Sequence, residues 1–242
     1  MQIKYQIIDN MKKQDFVFIF CVAIFVALFI VVEPLNEWFL SWSAAKDWRA
    51  FVLAFLKFGV LATMGECIGL RITQGVYNKK GFGVLPRALV WGVLGLCISI
   101  AMGIFASGSF GFLNQCGLHI EPQTLAEQCF GTRLLYAFTV SVLMNTFFAP
   151  VFMTVHKITD THITNTGGTL KGFFTPIPAK KIICEMDWGR QWSFVFMKTI
   201  PFFWYPAHTL TFMLPGEYRV LCAALLGVAL GIILSLANLK KK

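Results

Sequence analysis

Long apolar runs separated by short polar segments dominate the pattern of this chain. A transmembrane α-helix needs about 17 to 25 mostly apolar residues, and six runs reach that length. They lie at residues 16–32, 50–70, 86–107, 133–155, 191–214 and 219–238. The pattern therefore predicts an all-α fold: a polytopic helical membrane protein with about six transmembrane helices.

The distribution of charge predicts an orientation for these helices. Of the 242 residues, only 14% are charged, against about 25% in an average soluble domain. The net charge of +9 comes from lysines and arginines that concentrate in alternate loops: residues 1–15, 71–87, 157–190 and 240–242. Because cytoplasmic loops carry an excess of Lys and Arg, we predict that both termini are cytoplasmic. This explains the basic balance without nucleic acid, and we expect no nucleic-acid partner.

The first apolar run predicts a retained helix and not a cleaved signal peptide. It ends in Glu33-Pro34, where a signal peptide would carry small residues. The segment that follows is rich in tryptophan at helical spacing, which is typical of a helix lying in the membrane interface. We therefore interpret residues 1–49 as a leader, made of the first transmembrane helix and this interfacial helix, and residues 50–242 as the helical membrane domain.

Three prolines fall inside predicted spans beyond the first residue of the span. Proline removes a backbone donor and clashes with the preceding turn, so it kinks a helix. Inside a membrane the freed carbonyl needs a partner from a neighbouring helix or a hydroxyl. The sequence predicts helix kinks at Pro150, Pro201 and Pro206.

The third span has a small residue at every fourth position. Residues four apart share one face of a helix, and small side chains there let another helix approach closely. We predict a helix-packing face, used within the chain or with a partner helix, formed by Gly95, Ser99, Gly103, Ser107 and Gly111.

Two of the seven cysteines, Cys116 and Cys129, fall in a loop on the predicted outer side. In an oxidising compartment they could form a disulfide, which would stabilise a loop of this size by roughly 3 kcal/mol. We treat this pair as a candidate disulfide.

Ionisable and strongly polar residues inside membrane spans are costly and often functional. A water-filled path would explain five of them, which we predict to line a pore or cavity: Lys57, Glu66, Asn145, Lys198 and His208. In the alternative interpretation the two lysines extend to opposite interfaces and Glu66 pairs with Arg71 about one turn further on. The sequence leaves both open.

Catalytic and metal motifs are weak. His156, Asp160 and His162 follow the fourth span with spacings seen in metal sites, but at a membrane exit such side chains are usually solvated. The sequence has no HExxH, no phosphate-binding loop and no paired CxxC. We expect no catalytic residues, no metal, no cofactor and no enzymatic activity.

The C-terminal third carries an aromatic-proline pair, then Leu-Pro-x-x-Tyr-Arg and a final helix. These motifs are Tyr205-Pro206 and Leu214-Pro215-Gly216-Glu217-Tyr218-Arg219, with weaker matches at Phe148-Ala149-Pro150 and Gly65-Glu66. Over roughly residues 58 to 236 the chain resembles the Mpv/PMP family of mitochondrial inner-membrane and peroxisomal membrane proteins. The resemblance implies a compact helical membrane protein, in a family for which channel-like passage of small solutes has been proposed. We expect a distant member in a bacterial inner (cytoplasmic) membrane, with an organelle membrane as the alternative.

Two functions remain open at this level. The first is a channel- or transporter-like protein for small solutes of unknown identity. The second is a structural or partner-binding membrane protein without transport activity. The expected partners are the lipid bilayer and either further copies of the chain or another membrane protein.

Overall fold

A computed structural model describes residues 12–239, whose regular structure is entirely helical. Short turns join most of the helices. The α-helices are α1 Lys13–Val31, α2 Glu33–Ala44, α3 Trp48–Gln74, α4 Val84–Gln115, α5 Phe130–Phe147, α6 Ala149–Asn165, α7 Leu170–Phe173, α8 Ala179–Glu185, α9 Trp188–Arg190, α10 Tyr205–Met213 and α11 Gly216–Leu239. A 3₁₀ turn at Leu125–Glu127 precedes α5, and a π-helix at Gln191–Trp204 precedes α10.

Among residues 12–239, three helices are long and apolar enough to cross a membrane: Trp48–Gln74, Val84–Gln115 and Gly216–Ala237. Two bent pairs raise the number to as many as five if each pair is one span. These pairs are α1 with α2, bent by 81°, and α5 with α6, bent by 47°. The all-α prediction is thus confirmed, together with several membrane-length helices. A sixth span and the orientation of the termini stay predictions, and Lys4 and residues 240–242, which contributed to that orientation, lie outside the described residues.

Helix α3 is the centre of the molecule, packed between α4 and α11. Glycines make both contacts close. A Cβ placed on Gly95 of α4 would lie 2.5 Å from Phe58 Cβ, and one on Gly65 of α3 would lie 2.9 Å from Val228 Cα. Helices in a membrane gain little from excluding lipid, so close backbone approach is their main route to packing energy. The core therefore depends on small residues along α3 and its two neighbours.

The predicted packing face on α4 is used at only one of its ends. Gly95 is buried against α3, whereas a Cβ on Gly103 or Gly111 would have no atom within 4 Å. Ser107 is also exposed, and Ser99 is partly buried. The other close contact of α4 with α3 is at Gly92, which lies against the Phe55 ring.

The three predicted kink prolines all lie at changes of helix geometry. Pro150 is the second residue of α6, directly after the 47° bend. Pro201 lies inside the π-helix, and Pro206 is the second residue of α10. The Tyr205 carbonyl oxygen near this junction accepts hydroxyl hydrogen bonds from Ser141 at 2.8 Å and Thr209 at 2.7 Å. This is the kind of local compensation that irregular helices need in an apolar environment.

The candidate disulfide is not formed in this structure. Cys116 and Cys129 are both exposed free cysteines, at the end of α4 and directly before α5. The loop between them is ordered without a covalent link. The Asn114 side chain accepts a hydrogen bond from the Ile120 amide at 2.8 Å, and Ile120 is buried.

Replacing Gly95 with alanine should destabilise the fold. The new methyl group would lie 2.5 Å from Phe58 Cβ and 2.8 Å from the Ala54 carbonyl oxygen, and overpacking of this kind costs about 1–3 kcal/mol. Gly103→Ala is the matched control on the same helix: its methyl group meets nothing within 4 Å, so higher helix propensity should stabilise it by up to about 1 kcal/mol. Thermal unfolding in detergent, followed by circular dichroism, measures both. Equal shifts in Tm would contradict the assigned α3–α4 contact.

Candidate functional site

An ion-pair cluster lies where α3, α4 and α6 meet. Arg87 Nη1 contacts both Glu66 Oε2 and Asp160 Oδ1. The Trp91 indole N–H donates to Glu66 Oε1 at 2.7 Å, and His156 Nε2 lies 3.5 Å from the same oxygen. Each of the three helices thus supplies at least one charged or ionisable group. We use the name ion-pair cluster for Glu66, Arg87, Trp91, His156 and Asp160.

Several contacts hold Arg87 at the centre of this cluster. Its Nε donates to the Phe82 carbonyl oxygen at 2.7 Å, and its guanidinium lies 4.5 Å from the centre of the Phe82 ring. Arg87 is only 9% exposed. The Trp91 ring packs on the His156 imidazole with 4.4 Å between centroids. A buried charge is tolerated when its partners are this well placed, and becomes costly when one of them is removed.

Carboxylates outnumber guanidinium groups in the cluster. Arg87 brings one positive charge to the two carboxylates of Glu66 and Asp160. Removing one partner from such a group of charges costs on the order of several kcal/mol. The arrangement therefore depends on Arg87 staying between the two carboxylates.

A second polar region lies nearer the beginning of α3. It is a cavity of about 230 Å³ with two cationic side chains in its wall, Lys57 of α3 and Arg219 of α11. We call it the cationic cavity. Its other lining residues come from the end of α2, from α3, from α4 and from the region around the α10–α11 turn: Ser43, Ala45, Ala50, Ser99, Met102, Gly103, Ala106, Phe212, Gly216 and Val220.

Lys57 is held in place by the interfacial helix. Its Nζ donates to Ser43 Oγ at 2.8 Å and lies 4.5 Å from the centre of the Phe39 ring, both on α2. Only 7% of Lys57 is exposed. The tryptophan-rich segment that the sequence assigned to the interface thus forms part of one wall of the cavity.

An apolar layer separates the two polar regions. Lys57 and Glu66 are nine residues apart on α3, which corresponds to about 14 Å along an α-helix. Between these levels the helices contribute buried apolar side chains to the main core cluster, namely Phe58, Ala62, Leu94 and Ile98. The two regions are therefore distinct sites and not one continuous opening.

The other three predicted cavity residues lie elsewhere. The Asn145 amide donates to the Ser141 carbonyl oxygen one turn earlier on α5, at 2.8 Å. Lys198 is exposed on the π-helix. His208 is 5% exposed and stacks on Trp204 with 5.1 Å between centroids. Neither polar region contains more than one of the five residues predicted to line one pore.

The alternative pairing of Glu66 with Arg71 is not formed either, because Arg71 reaches the first helix. Its guanidinium donates to Asp15 Oδ1 at 2.7 Å, and the Tyr77 hydroxyl donates to the same oxygen at 2.8 Å. Burial, together with Asp15, raises the pKa of Tyr77 to about 12. This contact ties the leader to the end of α3.

Sequence reasoning missed Arg87 and Trp91, and it assigned His156 and Asp160 to solvent. The last two are partly buried in the cluster because α6 packs on α4. His162, grouped with them by spacing, is buried apart from the cluster, with Nε2 3.2 Å from the Phe173 carbonyl oxygen. The spacing of these residues in the sequence could have indicated the cluster. Arg87 with Trp91, and His156 with Asp160, are each spaced four residues apart and so share one helix face.

Comparison of the chain with family models, with curated proteins and with solved structures gives no match.

Arg87→Met should strongly destabilise the protein. It would leave the partly buried Glu66 and Asp160 without their cation, and loss of one partner of a buried ion pair costs up to about 3–5 kcal/mol. Arg49→Met is the control, because Arg49 pairs with Asp47 at 2.8 Å on the exposed surface, where ion pairs contribute little. Thermal unfolding in detergent compares the two variants. If both variants lower Tm equally, the ion-pair cluster does not stabilise the fold more than an exposed ion pair does.

Proposed function

We propose that this protein is a channel- or transporter-like membrane protein for small solutes. The observation that carries the proposal is the pair of polar regions on α3 and α4, separated by an apolar layer. Burying charges in a membrane-embedded bundle is costly, and such groups usually mark substrate or ion pathways. One region has an open volume and the other is closed by ion pairs, as expected for a pathway seen in a closed state.

In this proposal the ion-pair cluster is the gate on the cytoplasmic side. Passage requires α6 to move away from α3 and α4, because α6 carries His156 and Asp160. The 47° bend between α5 and α6 is the natural hinge for that motion, since bends at proline lack part of the backbone hydrogen bonding that stiffens a helix.

We further propose six membrane crossings with both termini in the cytoplasm. The fifth crossing would be the π-helix together with α10, a continuous helical stretch of residues 191–213. The small-solute function agrees with what the resemblance to the Mpv/PMP family implies. A bacterial inner membrane is the proposed location.

Solute passage can be measured without knowing the solute. Purified protein in liposomes is mixed rapidly with hyperosmotic salts, sugars, carboxylates, phosphates or nucleotides, and light scattering reports the reswelling that follows solute entry. We expect reswelling above that of empty liposomes for at least one class. Glu66→Gln should accelerate it about tenfold or more, because the lost charged hydrogen bonds are worth about 1.5–3 kcal/mol each in the closed state.

Lys198→Met is the matched control for this measurement, because Lys198 is exposed and outside both polar regions. It should transport like the wild type. If the wild type and empty liposomes behave alike with every solute class, the transport proposal fails. Partner binding would then be the better function, with the exposed part of α4 at Gly103, Ser107 and Gly111 as its candidate surface.

The orientation is tested with native cysteines. In spheroplasts, after treatment with an impermeant reductant, an impermeant maleimide should label Cys116 and Cys129 but not Cys184, which lies in the basic α8 segment. Thr132 lowers the pKa of Cys129 through a hydroxyl–thiol hydrogen bond, so Cys129 should react faster than Cys116. Labelling of Cys184 from outside would contradict the orientation. Labelling of the other two only after reduction would reveal a disulfide in the cell.

A further inference from the structure

The cationic cavity brings together two positive side chains without a carboxylate in its wall. Lys57 and Arg219 both line it, and none of its other lining residues is acidic. Within residues 12–239, neither side chain has a carboxylate oxygen within ion-pair distance. Glu217, two residues from Arg219 on the same helix, acts on it only electrostatically. Two cations thus face one volume without a counter-charge at contact distance.

Both side chains are held by contacts that leave part of their donor capacity free. Lys57 donates one recorded hydrogen bond, to Ser43 Oγ, although an ammonium has three donors. Arg219 donates to the Leu214 carbonyl oxygen at 2.9 Å and to the Phe212 carbonyl oxygen at 3.2 Å, although a guanidinium has five donors. Neutral partners fix the position of these groups, and their charge remains to be balanced.

The volume of the cationic cavity shows what size of anion fits beside its two positive charges. A cavity of about 230 Å³ corresponds to roughly seven or eight water molecules at about 30 Å³ each. That is enough for phosphate or a short carboxylate. Guanidinium and ammonium groups together are the usual protein donors for phosphate and carboxylate oxygens. The Ser99 hydroxyl in the wall offers a further polar contact.

We propose that the cationic cavity is a binding site for a small anion carrying a phosphate or carboxylate group, held between Lys57 and Arg219. Its assignment as the site that loads a transported solute rests on the proposed function; anion binding itself does not. The occupant is either a free anion or the phosphate of an anionic lipid headgroup, because both present the same oxygens to the two cations.

The test is equilibrium dialysis of the full chain, purified in an uncharged detergent, with radiolabelled inorganic phosphate and radiolabelled succinate. We expect saturable binding of at least one probe, or retention of an anionic lipid detected by native mass spectrometry. Lys57→Met and Arg219→Met should each weaken binding by about tenfold or more, the size expected when one charged hydrogen bond is lost. Lys198→Met, which removes an exposed lysine, should leave it unchanged.

Competition on the wild type makes the test independent of how the variants fold. Unlabelled phosphate or succinate should displace the bound probe, whereas glycerol, an uncharged solute of similar size, should not. Repeating the dialysis in nanodiscs with and without phosphatidylglycerol identifies the source: displacement by this lipid assigns the site to a headgroup, and its absence assigns it to a free anion.

Three results would overturn the inference: absence of both saturable anion binding and retained anionic lipid, binding that Lys57→Met and Arg219→Met leave intact in folded protein, or displacement by glycerol. The liposome measurement separates this outcome from the fate of the proposed function. Anion binding without any solute flux would retain the site and reject transport. Flux of uncharged solutes without anion binding would retain transport and reject the anion site.

Discussion

The contact of Arg87 with Glu66 and Asp160 is the interaction on which much of this structure depends. It joins three helices through one guanidinium that is almost fully buried. In an apolar surrounding such a contact is stable only while all partners are present, because the attraction must offset the loss of hydration. It therefore sets the position of α6 against α3 and α4 more strictly than apolar packing, which tolerates sliding.

Close helix approach allows these charges to meet. Gly92 and Gly95 let α4 lie against the phenylalanines of α3, and Gly65 lets α11 lie against the other side of α3. A larger side chain at these positions would separate the backbones and so lengthen every polar contact between the same helices. Packing and electrostatics are thus coupled: the small residues set the spacing, and the ion pairs select one register within it.

The two polar regions make the two halves of the helical bundle chemically different. Beside the first half of α3, Lys57 and Arg219 of α11 face an open volume without a carboxylate in its wall. Beside the second half of α3, two carboxylates contact the single guanidinium of Arg87. Between them lie tightly packed apolar side chains. Burying such groups in a membrane is costly, and residues of this kind often mark functional sites. The interfacial helix α2 also takes part, since Phe39 and Ser43 hold Lys57 in position.

The sequence by itself determined the all-helical architecture, most of the apolar helices and the prolines at which helices change direction. These features follow from local properties: residue hydropathy, the length of each run, and the backbone chemistry of proline.

Only the tertiary structure decided which polar residues meet. One sequence interpretation paired Glu66 with Arg71 about one turn further on. Glu66 instead pairs with Arg87 and Trp91 on α4, while Arg71 is bound by Asp15 of α1. His208, which the sequence predicts to line a cavity with Lys57, packs on Trp204, whereas Arg219 lines the cationic cavity beside Lys57. The reason is physical. Periodicity indicates which residues share a helix face, but the partner of that face is set by helix approach and crossing, which depend on contacts distant in sequence.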